Sequence, residues 1–292
     1  MMRRVFESVR ALPRRSLAVT FGLLIVMAFA AAMPALPAVW PHGPEAVDSQ
    51  RMLSSPSLRH PLGTDGTGRD VFARVVDGTR YAFAIPLAAV LLGISLGAPV
   101  GLLAGLFGGI ADRLLRALFL AIGFFPPLLL ALALVAAMGP SLRHLVVGLG
   151  VVEAIFFARA MREQIRALHV SGFIEGAVAM GNSVPRMVLM HLLPNTLAGT
   201  ARELPRRAAW ALGTLAVMGF IGIGSAADVN EWGAMVRDGV ERMYTGQWWL
   251  AIFPGLALLT LGFGLQLLAT GFADLDRRNP AILAGASAEV PR

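Results

Sequence analysis

Residues 82–109 read AFAIPLAAVLLGISLGAPVGLLAGLFGG. The stretch contains no charged residue, and a bilayer core about 30 Å thick is crossed by about 20 apolar helical residues. It is therefore long enough to span a membrane. Its glycines, Gly93, Gly97, Gly101, Gly105 and Gly109, recur every fourth residue. On a helix they form one stripe without side chains, against which another helix can lie closely. Membrane helices associate this way, because lipid offers no hydrophobic drive between them. The stripe predicts packing, not chemistry.

Similar apolar runs occur from Leu17 to Pro37 and over 117–138, 144–160, 208–224 and 248–271. With 82–107 they predict an all-α polytopic membrane protein of about six spans. The unbroken runs exclude a barrel, whose strands alternate apolar and polar residues. Composition agrees: of 292 residues 56% are hydrophobic and 15% charged, and mean hydropathy is +0.68. A soluble domain carries about 25% charged residues. Pro126-Pro127 predicts a kink in the third run, and Gly139-Pro140-Ser141 a tight turn. For the first run two readings are open. A basic start and Ala30-Ala31-Ala32 suit a cleaved signal peptide, whereas the length of the run favours a retained span. The expected divisions are a cytoplasmic N-terminus and first span (1–40), an ordered external loop (41–80), a core (81–272) containing a long polar loop at 161–207, and a tail (273–292). The loop at 225–247 carries four acids, Asp228, Glu231, Asp238 and Glu241.

All 25 basic residues are Arg. Without Lys the chain cannot form a P-loop, a Schiff base or a Ser–Lys dyad, so any ATP it uses is bound by another polypeptide. The absence of Cys excludes disulfides and thiolate sites. The net charge of +7 reads as positive-inside bias rather than as nucleic-acid binding. The N-terminus, the 108–116 turn, the 159–207 stretch and the tail hold 17 Arg. The opposite loops hold Arg51, Arg59, Arg69, Arg74, Arg80, Arg143, Arg237 and Arg242. Both termini and the 161–207 loop are thus expected in the cytoplasm.

Glu153 lies inside the fourth run, where a carboxylate costs about 2.5–3.5 kcal/mol on insertion scales. It must face the bundle interior, find a partner or be protonated, and Arg159 is too far along the helix for an i,i+4 pair. It reads as a path or gating residue, or as a lumen-facing polar group. The histidines, His42, His60, His144, His169 and His191, are scattered without metal spacing. Ser95 has no His beside it in sequence that would make a serine nucleophile. No metal, cofactor or catalytic residue is expected.

The 161–207 loop contains Glu175-Gly176-Ala177, then Gly181, then His191-Leu192-Leu193-Pro194. Small residues at 176, 177 and 181 suit a helix–turn–helix that enters a partner's groove, with Gly181 at the turn and Pro194 opening the next helix. This pattern resembles the EAA-x3-G-x9-I-x-L-P loop of bacterial ABC importer permeases, with Gly176 in place of Ala and His191 in place of Ile. His60-Pro61-Leu62-Gly63-Thr64-Asp65, followed by Gly68-Arg69-Asp70-Val71, resembles the signature of the peptide and nickel branch ahead of its second span, with Ala73 in place of Ser. Trp232-Gly233, Trp248-Trp249, Phe253-Pro254-Gly255 and Leu275-Asp276-Arg277-Arg278 resemble its C-terminal half, with Arg277 in place of Pro.

The resemblance covers roughly 58–278. It implies a type I, MetI-like permease core of the C-type subunit in the inner membrane, without catalytic residues. It also implies a second homologous permease, two ATPase subunits that hold ATP and Mg, and a soluble binding protein that brings short peptides, or alternatively nickel or another small solute. Glu175, Gly176, Ala177, Gly181, His191, Leu193 and Pro194 would then couple the chain to the ATPase. The rivals from other classes are a secondary transporter with no ATPase partner and a membrane scaffold. The first would use an intramembrane ionisable residue such as Glu153.

Overall fold

The computed structural model describes residues 2–170, 193–223 and 229–277. Eight α-helices occur among them: α1 (Met2–Val39), α2 (Val71–Phe107), α3 (Gly109–Gly123), α4 (Pro127–Met138), α5 (Leu142–Val170), α6 (Leu193–Ile221), α7 (Trp232–Met243) and α8 (Trp249–Arg277). A single turn of 3₁₀-helix (Ser49–Arg51) and one isolated bridge between Thr64 and Asp70 order the loop before α2.

Four segments are long and apolar enough to cross a membrane: Leu17–Ala35, Val71–Phe107, Leu142–Ala167 and Trp249–Phe272. Asp112–Gly123 and Pro127–Met138 form a fifth candidate, bent by 91° at the break. The bend falls at the expected prolines. Pro126 has an extended ψ of 128°, and Pro127 opens α4, where its missing N–H costs nothing. Four helices and a bent pair make five candidate spans among the described residues, one fewer than the six expected. Of the remaining apolar run, 208–224, residues 208–221 form the second half of α6, whose first half carries Arg202, Glu203, Arg206 and Arg207. Those charges keep α6 out of the candidate spans.

Helix ends follow local chemistry. Asp70 caps α2 by accepting from the Ala73 N–H at 2.8 Å. Gly108, with φ of +60° and ψ of −141°, ends α2 in a conformation that side-chain-bearing residues rarely adopt. The 225–247 segment, expected as a loop, contains α7. The polar 161–207 stretch begins inside α5 and ends inside α6, so both helices run beyond the apolar runs that announced them.

α2 packs most extensively on α5, and α1 lies against α8. One buried apolar cluster joins α2, α6, α7 and α8 around Trp232, Trp249 and Leu261. A second joins α2, α4, α5 and α6 around Leu145, Leu149, Leu215 and Met218. Large apolar side chains also cover outer faces, among them Leu87, Leu91, Leu103, Leu129 and Phe263. That pattern suits a chain whose solvent is hydrocarbon over much of its surface.

Candidate functional site: a buried ion pair and a polar clasp

The glycine stripe forms the seam between α2 and α5. A Cβ at Gly93 would run into Glu153, and one at Gly97 or Gly101 into the backbone of Ala154 or Ala158. At Gly105 it would stand 2.8 Å from Ile165 Cβ. Gly109 departs from this pattern. It opens α3 with φ of +66° and faces open space, so it belongs to the turn and not to the seam. Four-residue spacing continued past the end of the helix, where periodicity no longer assigns a face.

Glu153 sits midway along α5 and is fully buried. Its partner is Arg207 of α6, whose Nε and Nη2 donate to the two carboxylate oxygens at 2.7 and 2.8 Å. This is the two-pronged geometry that fits a guanidinium to a carboxylate. The Arg207 guanidinium also lies over the rings of Phe156 and Trp210, 4.0 and 4.8 Å from their centroids. Arg207 and Arg159 both line a cavity of about 230 Å³ at the inner side of the 91° bend, beside Gly123, Phe156 and Trp210. A second ionic knot ties α3 to the far part of α5. Asp112 accepts from Arg162, from Arg166 at 2.9 Å and from Arg116 at 3.2 Å.

The loop before α2 folds around Asp65. One carboxylate oxygen accepts from the Thr67 and Arg69 backbone N–H groups and the Thr67 hydroxyl, at 2.8–2.9 Å. The other accepts from Arg69 Nε at 3.1 Å and from Arg74 Nη1 at 2.5 Å. Burial pushes the Asp65 carboxyl up, but the bonds from Thr67 and Arg69 and the charge of Arg74 outweigh it and hold it below the ordinary carboxylate range. Arg74 then donates to Asn230 Oδ1 at 2.7 Å, and the Asn230 amide donates to Glu45 and Asp77, each at 2.9 Å. Trp232 and Trp249 donate their indole N–H groups to the carbonyls of Val75 and Thr64. This clasp locks the 41–80 loop onto the start of α7 and the start of α8.

Glu231 caps α7 by accepting from the Gly233 and Ala234 N–H groups at 2.8 and 2.9 Å. Burial pushes its pKa up to about 7, although these bonds and the nearby Arg237 work against the rise.

Glu175, Gly176, Ala177, Gly181 and His191 lie outside the described residues, while Leu193 and Pro194 open α6. Sequence reading named Glu153 without its partner, because Arg207 is 54 residues away. Asp65 entered only as part of a signature, Arg69 and Arg74 were counted among the arginines of the opposite loops, and Asn230, which is 156 residues from Arg74, was not singled out. The histidines are less scattered than they read: His60 pairs with Asp70 at 2.7 Å, and the His42 ring stands 4.7 Å from that of His60. Among the described residues no group of three His, Cys, Asp or Glu is arranged to hold a metal ion.

Residues 97–274 match the family model described as binding-protein-dependent transport system inner membrane component. The chain is 31% identical over 268 residues to a dipeptide transport system permease protein of Alkalihalophilus pseudofirmus, covering 92% of this chain and 88% of that one. It is 34% identical over 234 residues to a probable D,D-dipeptide transport system permease of Escherichia coli K12, with coverage of 80% and 78%. It is 32% identical over 261 residues to a glutathione transport system permease of Pectobacterium atrosepticum, with coverage of 89% and 86%. Among solved structures it is similar to the MetNI methionine ABC transporter in its inward-facing conformations. There the TM-score is 0.53 and the identity 21%, over 72% of this chain and 96% of that one. At that identity the likeness is one of fold. The glycine seam, the buried ion pair and the clasp thus belong to a polytopic permease core, and the chain belongs to the family of inner membrane components of binding-protein-dependent transport systems.

Proposed function

We propose that this chain forms half of a translocation path for short peptides. In this reading it pairs with a second, homologous permease and is driven by two ATPase subunits docked on the 161–207 loop. The chain is a non-catalytic membrane subunit of an ATP-driven importer. As a permease of this family it needs no cofactor of its own. The observation that carries the peptide reading is its near-full-length similarity to permeases of dipeptide, D,D-dipeptide and glutathione systems. Family membership sets aside the secondary-transporter and scaffold readings. Nickel gains no support from these relatives.

The geometry also supports a route for force. The 161–207 loop is continuous with α5 on one side and α6 on the other. The Glu153–Arg207 pair joins those helices near mid-length, and the glycine seam fastens α5 to α2. A displacement of the loop by the ATPase would therefore move α2, α5 and α6 together. Transport then follows from the different affinities of the ATPase states for two arrangements of the permease. The Arg distribution supports cytoplasmic termini and a cytoplasmic coupling loop.

The test is uptake of a labelled dipeptide by the reconstituted complex, with ATP hydrolysis measured in parallel. Wild type is expected to couple the two. Gly181→Trp is expected to assemble and hydrolyse ATP but lose most uptake. Normal uptake in an assembled Gly181→Trp complex overturns the coupling role, and absence of dipeptide uptake by wild type overturns the peptide reading.

A further inference from the structure

The cavity at the bend between α3 and α4 carries more positive charge than its walls neutralise. Two guanidinium groups line it, those of Arg159 and Arg207. Arg207 is neutralised by Glu153, with two of its nitrogens engaged on the carboxylate. Arg159 has no carboxylate partner among the described residues. Its Nη2 donates to the Phe119 carbonyl at 2.9 Å, and its guanidinium lies 5.5 Å from the Phe119 ring centroid. The rest of the wall is apolar or aromatic, with Phe156 and Trp210 beneath Arg207. The site lies beyond the middle of α5 and midway along α6, both of which flank the proposed coupling loop. Arg159 is exposed on an aromatic-lined wall, open to an incoming group. A guanidinium so placed suits one chemical group above others, a carboxylate, which its planar fork can hold with two hydrogen bonds.

We propose that this cavity is a waypoint for the C-terminal carboxylate of the passing peptide, received by Arg159 and flanked by the already neutralised Arg207. The proposal rests on the peptide reading above and names the part of the solute that is read. Every linear peptide with a free C-terminus presents this group whatever its side chains, so one receptor serves a mixed set of solutes. The Glu153 charge keeps the site from being a trap. With Arg207 spent on Glu153, the cavity offers one net positive charge, enough to attract a carboxylate and weak enough to release it, as conduction requires.

Gly123 supplies a clean test. A Cβ built there stands 3.7 Å from Arg159 Nη2, an ordinary contact, so a side chain at 123 enters the cavity without displacing the backbone. Gly123→Asp would put a tethered carboxylate on Arg159, and Gly123→Asn is its neutral counterpart of the same size. Uptake of a dipeptide is measured in proteoliposomes containing the whole complex, at saturating binding protein whose peptide affinity is measured separately.

Gly123→Asp is expected to lower the maximal rate about tenfold relative to Gly123→Asn, the scale of one charge-assisted hydrogen bond of about 1.4 kcal/mol. Arg159→Gln is expected to match Gly123→Asp and Arg159→Lys to recover part of the rate. The C-terminal amide of the same dipeptide is expected to be insensitive to all of these changes. Equal rates in Gly123→Asp and Gly123→Asn overturn the proposal. So does an equal loss for dipeptide and amide, which marks Arg159 as structural. A difference seen only in vesicles containing phosphatidylglycerol places a lipid headgroup on Arg159 and also overturns it. If wild type transports no peptide at all, the peptide reading fails before the waypoint is at issue.

Discussion

Arg207 of α6 grips Glu153 of α5 with two parallel hydrogen bonds of 2.7 and 2.8 Å, and this bond links the two helices that flank the 161–207 loop. The carboxylate is fully buried and the guanidinium is nearly so, with a side-chain exposure of 13%. A buried pair of this kind gains little over well-packed apolar residues, yet removing one partner strands the other charge.

Glu153→Gln and Arg207→Gln should therefore each destabilise the assembled complex by about 3–5 kcal/mol. The paired change to Glu153→Leu with Arg207→Met should cost clearly less than the sum. Thermal midpoints of the detergent-purified complex, arranged as a double-mutant cycle, measure the coupling. Additive losses would show that the two residues act separately. Transport should fall in the apolar pair even where stability recovers, because α5 and α6 lose the polar link that fixes their register.

The glycine seam makes a positional prediction. Gly101→Val pushes side-chain atoms into the Ala158 backbone and should cost about 1–3 kcal/mol by overpacking, or prevent assembly outright. Gly109→Ala meets no neighbour, so its only penalty is the left-handed backbone, about 1–2 kcal/mol, with the α2–α5 contact intact. Cross-linking between Cys residues introduced on α2 and α5 separates the cases. Gly101→Val should abolish a bond that Gly109→Ala preserves.

The glycines show where sequence reading works. Apolar runs and four-residue spacing are local, so they revealed the membrane class, the α2 face and the Pro126-Pro127 bend directly. They failed where the pattern crossed a helix end, at Gly109, and where charge entered a span, in α6. Contacts across the chain left no local trace. Arg74 meets Asn230 across a sequence separation of 156. Nothing in either neighbourhood announces the other, although both lie beside motifs that were noticed. Arg207 could have been anticipated as one of the few charges close enough to an apolar run to satisfy Glu153. Charge balance alone does not choose it over Arg202 or Arg206.

The clasp around Asp65 should give the 41–80 loop an acid-sensitive component. Its carboxyl titrates below the ordinary range in the folded chain, while an unfolded Asp titrates near about 3.9. The stabilisation is thus fully present above that value and is lost as pH falls through the lower folded pKa. Asp65→Asn should remove it at all pH values and leave Arg74 buried without a carboxylate. Limited proteolysis of the 41–80 loop as a function of pH tests this. Wild type should resist cleavage down to about pH 4 and then open, whereas Asp65→Asn should be cut at neutral pH.

Glu231 gives the opposite sign. Its folded pKa is pushed up to about 7 by burial, above the ordinary carboxylate value of 4.5. Between those two values the folded chain binds a proton that the unfolded chain has lost, so stability falls as pH rises through that window and levels off above it. The helix-capping bonds from Gly233 and Ala234 favour the ionised form. They limit the rise without cancelling it, because Gly219 and the Trp232–Ala234 turn close over the carboxylate and exclude water. Glu231→Gln should flatten the stability profile between pH 4.5 and 7 while keeping one acceptor for the α7 cap. Thermal midpoints of the two complexes across that range provide the measurement. A wild-type profile that rises through the window would show that the capping bonds, and not burial, control this residue.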